Sequence, residues 1–159
     1  MRNFYVKLIV VFLCSQSLLF AGREPGDFEG CIQEFSQKFE QIFLERRINE
    51  LDRSLLLETN ENDLTILHCA VYDGNIGLVE NVIKRAQACL SDDEFYCFIN
   101  KSEKICGWTP LHIAVAVKLV EIQATLIYAG ASVLKKDSEG LIPSELAELI
   151  TDFENFGNK

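Results

Sequence analysis

Basic residues are scarce in this chain. Lysine and arginine number 15 against 24 aspartates and glutamates, and the resulting net charge of −9 repels phosphate backbones and anionic lipid surfaces. Nucleic acid is thereby disfavoured as the main partner. Histidine occurs only twice, and neither H-E-x-x-H nor C-x-x-C appears, so no zinc site is expected. A glycine-rich phosphate loop, a G-x-S-x-G elbow and a paired-acid motif are all missing, so neither an enzyme nor a cofactor is expected. A bilayer-spanning run is missing too: from Leu8 to Gly22 the chain carries no acid or base besides Cys14, but these 15 residues fall short of the roughly 20 a transmembrane helix needs.

What is present is apolar material for one core. At 159 residues and 48% apolar composition the chain has room for a single packed domain. Arg2 and Lys7 precede the apolar stretch, which reads as a secretory signal over residues 1–21 with cleavage after Ala21. Ser15-Gln16-Ser17 offers a second cleavage point, and an uncleaved membrane anchor is the competing reading. After cleavage, 13 basic and 24 acidic residues would remain, with no membrane association expected.

Five cysteines also remain, Cys31, Cys69, Cys89, Cys97 and Cys106, and an oxidising compartment permits disulfides among them. Cys89 and Cys97 flank an acidic insertion, so a disulfide closing that loop is the preferred pairing, with Cys97 to Cys106 as the alternative.

The chain repeats itself. Thr109-Pro110-Leu111-His112-Ile113-Ala114 is echoed 44 residues earlier by Thr65-Ile66-Leu67-His68-Cys69-Ala70 and 33 residues later by Ile142-Pro143-Ser144-Glu145-Leu146-Ala147. Gly74 and Gly130 follow at turn positions, while Lys118 stands where the second unit should carry its inter-helix glycine. Thr65 and Thr109 can cap helix starts, and Pro110 suits a first helical turn. Leu67 with Ala70, and Leu111 with Ala114, share one helical face. Upstream, Ile32, Phe35, Phe39, Ile42 and Phe43 recur at helical spacing.

The hexapeptide and its spacing resemble the ankyrin repeat. That resemblance implies an all-α solenoid of stacked helix-turn-helix units with an N-terminal capping helix. Residues 22–47 would form the cap, 48–150 about three repeats with an insertion at 85–104, and 151–159 a C-terminal tail. The insertion should extend a helix and then project as a loop. His68 and His112 would hydrogen-bond within and between repeat loops.

The resemblance further implies binding of a protein through finger tips and the inner helix face. Carried over by position, the contact residues are Glu61, Asn62, Leu64, Tyr72 and Asp73, then Ile105, Trp108, Ala116 and Val117, and lastly Ser138, Glu139 and Leu141. Trp108 is the foremost of these, because a tryptophan can bury a large area at an interface; packing against the insertion is its alternative. The expectation is a secreted or periplasmic binding module for a basic or mixed protein surface, either an inhibitor or immunity-type protein or an exported effector. A thiol-dependent accessory factor for an extracytoplasmic redox or haem enzyme is the alternative. Oligomeric state is left open.

Overall fold

The computed structural model describes residues 32–34, 36–37 and 50–157. Residues 1–21, and most of the stretch read as a capping helix, lie outside these. Ile32 is helical and fully buried in the core, while Phe35, Phe39, Ile42 and Phe43 are outside the described residues.

Seven helices follow: α1 (Arg53–Leu57), α2 (Ile66–Asp73), α3 (Ile76–Cys89), α4 (Asp92–Ile99), α5 (Pro110–Ala116), α6 (Val120–Tyr128) and α7 (Pro143–Gly157). No strand occurs among the described residues. Inner helices α2, α5 and α7 stack in that order, and α3 and α6 back onto α2 and α5 as a second layer. Each layer touches only its neighbours, which is the packing of a solenoid.

The helix starts follow from local chemistry. The Thr65 N–H donates to Nδ1 of His68 at 3.1 Å, and the Thr109 N–H does the same to His112 at 3.3 Å. The third unit reaches this arrangement with other residues, the Ile142 N–H donating to Oε2 of Glu145 at 2.9 Å. Threonine and histidine are therefore dispensable at the last start, provided an acceptor three residues on returns to the cap. Leu67, Ala70, Leu111, Ala114, Leu146 and Ile150 all lie in the core.

Lys118 adopts φ 58°, close to the φ 78° of Gly74 at the same repeat position. The turn is thus built identically in both units, and in the second a side chain bears the left-handed strain, about 1 kcal/mol. Lys118→Gly is expected to raise stability by up to about 1 kcal/mol, read as a higher urea midpoint at unchanged slope.

Two expectations about the insertion are corrected. After the lengthened α3, residues 92–99 form α4 and not a projecting loop, with Phe98 and Ile99 buried. Ser91 and Glu94 form a capping box, Ser91 N–H to Glu94 Oε2 at 3.0 Å and Glu94 N–H to Ser91 Oγ at 3.4 Å. Arg53 pairs with Glu94, linking α1 to α4. No disulfide joins Cys89 to Cys97, or either to Cys69 or Cys106. The eight-residue spacing is taken up by a turn and a helix, and Cys97 sits on the solvent side of α4. Helix α7 continues to Gly157, so residues 151–157 of the stretch read as a C-terminal tail are helical.

Candidate protein-binding surface

Three finger loops project from one edge of the stack, and they share one internal design. In the first, the Asn60 side-chain oxygen accepts the N–H groups of Asn62 and Leu64 at 2.9 and 3.0 Å, while the Asn60 N–H donates to the Leu64 carbonyl at 3.2 Å. In the third, Asp137 accepts from Glu139 and Leu141, both at 2.9 Å, and its N–H donates to the Leu141 carbonyl at 3.0 Å.

The second finger is one residue longer between its anchors, and its anchor is one methylene longer. The Glu103 carboxylate accepts from Ile105, Cys106 and Trp108 at 2.5, 2.8 and 2.8 Å, and its N–H donates to the Trp108 carbonyl at 3.0 Å. Glu103 is 2% exposed. Burial pushes its carboxyl above the usual range, and the surrounding backbone N–H groups pull it back only in part. Nothing in the Lys101-Ser102-Glu103-Lys104 stretch marks this residue as buried. Its signal is positional: aligning the three fingers puts it opposite Asn60 and Asp137.

Adjacent fingers are joined backbone to backbone. The Lys104 N–H donates to the Asn62 carbonyl at 2.9 Å, and the Ser138 N–H to the Cys106 carbonyl at 3.0 Å. Ser138 Oγ donates to the same Cys106 carbonyl at 2.7 Å. Lys104 and Lys101 also pair with Asp63 at 3.3 and 3.5 Å. Gly107 makes the close approach possible: it has φ 73°, and a Cβ there would lie 2.6 Å from the Ser138 backbone nitrogen. Gly107→Ala is expected to cost about 2 kcal/mol from the left-handed backbone, together with the finger-to-finger bond, measured as a lower urea midpoint.

The histidines are structural. His112 Nε2 lies 3.2 Å from the Leu141 carbonyl, bridging to the next finger, while Nδ1 serves the helix start. His68 is fully buried, and its Nε2 has no hydrogen-bond partner among the described residues. Burial drives the His68 imidazole down to about 4 and lowers His112 as well. Both are neutral at pH 7.

Of the residues expected to meet a partner, four are covered by the fold. Trp108 is 3% exposed, its indole Nε1–H donating to Asp137 Oδ2 at 3.2 Å across to the third finger. Leu64, Ile105 and Ala116 are buried as well. Their repeat positions face the neighbouring unit, so the indole serves the stack in place of an interface. Glu61, Asp73, Ser138 and Glu139 are exposed, and Asn62, Tyr72, Val117 and Leu141 are half-buried. Glu61, Ser138 and Glu139 lie at finger tips; Tyr72 and Asp73 lie at the C-terminal end of α2, and Val117 follows the last residue of α5.

Other chemistry is sparsely represented. Among the described residues no three His, Cys, Asp or Glu side chains gather as metal ligands, and no helix is long and apolar enough to cross a membrane. Cys69 is buried and its thiol is pushed up to about 11 by that burial, which makes it inert. Among the described residues Cys97 is the exposed thiol.

Comparison with known proteins agrees with this geometry. The chain is 32% identical over 97 residues to mouse protein phosphatase 1 regulatory subunit 27, covering 60% of this chain and 56% of that protein. The human counterpart is 31% identical over 93 residues, covering 58% and 53%. The chain thus spans about half the length of these relatives. Among solved structures, a chain in the crystal structure of the yeast ribosomal protein Rps3 in complex with its chaperone Yar1 superposes with a TM-score of 0.63 at 22% identity, covering 83% of this chain and 89% of that one. The model of ankyrin repeats, in three copies, matches residues 39–137. With the repeated capped helices, the joined fingers and this match over more than half its length, the chain belongs to the ankyrin-repeat family.

Proposed function

We propose that this protein is a protein-binding module whose contact surface is formed by Glu61, Ser138 and Glu139 at the finger tips and by Tyr72, Asp73 and Val117 at the C-terminal ends of α2 and α5. The observation that carries this reading is the division of labour in the repeat: the buried positions hold the stack, and these six remain at least partly accessible. Three of the six are acidic and none is basic, and the net charge of −9 favours a partner with a basic or mixed surface. Relatives named as regulatory subunits support a role exerted on another protein.

The N-terminal sequence supports action outside the cytoplasm, as an inhibitor or immunity-type protein or as an exported effector. A compact acidic plug suits a basic cleft, which favours the inhibitor. Export is tested by N-terminal sequencing of the protein recovered from its native source, with a start at Gly22 expected. For binding, affinity capture with the native chain is compared with a Glu61→Lys/Asp73→Lys/Glu139→Lys variant. The variant should lose the captured protein while melting at the same temperature; retention at full yield would sink the surface assignment. Exposed Cys97 favours the thiol-dependent accessory role as a second reading. A partner held only in the absence of reductant, and lost on Cys97→Ser, would support it.

A further inference from the structure

The side of the molecule formed by α4 and α6 carries an apolar surface that the repeat does not need. On α6, Val120, Ala124, Ile127 and Tyr128 form one stripe at i, i+4, i+7 and i+8, and all are exposed, Val120 by 72% and Tyr128 by 93%. The equivalent positions of α3, 44 residues earlier, hold Ile76, Glu80, Ile83 and Lys84. There Ile83 is buried and Glu80 pairs with Lys84 at 3.8 Å across solvent. The positions of Glu80 and Lys84 are thus charged in one unit and apolar, as Ala124 and Tyr128, in the next.

The stripe continues onto α4. Asn100, 3% exposed, donates from Nδ2 to the Tyr96 and Gly130 carbonyls at 3.1 and 3.3 Å, and its Oδ1 accepts the Ser132 N–H at 2.6 Å. These bonds fix the last turn of α4 against the loop after α6. Tyr96, Val133 and Leu134, on the two segments these bonds join, are exposed by 60%, 46% and 73%.

Charge at the two ends of this surface identifies what covers it. Asp92 and Asp93 are exposed in the first turn of α4, and Lys135 and Lys136 are exposed beyond its last turn, Lys135 donating to the Asn100 carbonyl at 2.8 Å. The strip reads acid, aromatic, base along a helix about 12 Å long. A strip with that order is complementary to itself turned end for end, the arrangement a two-fold axis through Tyr96 creates.

We infer that this face is the interface of a homodimer. Two copies of α4 run antiparallel, Asp92 and Asp93 of each meet Lys135 and Lys136 of the other, and the tyrosines with Leu134 are covered between them. The interface adjoins the third finger at Lys136, next to its anchor Asp137, and leaves the first finger uncovered.

Light scattering on the full chain over a concentration series reaching about 100 µM tests this. A concentration-dependent dimer is expected, with Tyr128→Glu weakening it by at least about tenfold while leaving the melting temperature unchanged. Charge reversal gives the second arm. Lys135→Glu/Lys136→Glu and Asp92→Lys/Asp93→Lys should each be monomeric alone and should pair with each other when mixed. A wild-type chain that stays monomeric throughout, a dimer indifferent to Tyr128→Glu, or reversed variants that fail to pair while remaining folded would each overturn the inference.

Discussion

Truncating Trp108 to alanine is expected to remove about 3 to 5 kcal/mol of folding stability, because the indole is buried between the second and third fingers and a cavity of that size does not collapse. The bond from its Nε1–H to Asp137 is lost as well. A stack of three units holds little in reserve, so urea denaturation should show a severely lowered midpoint. Trp108→Phe retains most of the packing and should cost only about 1 kcal/mol, chiefly for the missing hydrogen bond. The result separates two roles for this residue. If Trp108→Ala folded as well as the parent and merely released a binding partner, the indole would belong to an interface after all, and its placement between the fingers would be wrong.

Acidification should be nearly as costly. In the unfolded chain His68 takes up a proton near pH 6.5, whereas the buried imidazole does so only at about 4. Between these values the unfolded state binds more protons, so it is favoured as the pH falls, and stability present above pH 6.5 drains away until the folded value is reached. For His68 alone the loss amounts to about 3 kcal/mol, and His112, shifted downward by the same cause, adds to it. Glu103 acts in the opposite sense. Its folded carboxyl protonates at higher pH than in the unfolded chain, so falling pH favours the native state until the unfolded chain protonates too. Urea midpoints measured from pH 7.5 to 4 should decline, and His68→Gln, which keeps an acceptor for the Thr65 N–H, should decline less steeply. An identical pH slope in parent and variant would remove His68 as the cause.

Where a few neighbouring residues decide the structure, the sequence was readable. Thr65 with His68 and Thr109 with His112 lie three residues apart and set the helix starts by contacts within one turn, so the hexapeptide foretold both their positions and the stacking of Leu67, Ala70, Leu111 and Ala114. The insertion was legible in part. Ser91-x-x-Glu94 ahead of an apolar run is a helix start, and the preferred disulfide between Cys89 and Cys97 overlooked it. Trp108 was beyond local reasoning, since its cover comes from Asp137, 29 residues later, and a finger residue viewed alone looks exposed. Tyr72, Asp73, Glu61 and Glu139 remain accessible where repeat position placed them, but accessibility is decided by neighbouring units that no single-repeat pattern describes.

Glu103 carries a lesson for engineering. Its finger tolerates an extra residue because the anchoring acid is longer by one carbon, and the bond from its own N–H to the far end of the finger is kept as in the other units. Loop length and anchor length therefore act as a matched pair of parts. Exchanging Asp137 for glutamate while inserting a residue before Gly140 should lengthen the third tip without repacking the core, so the reach of each tip toward a target could be graded in single-residue steps on an unchanged scaffold.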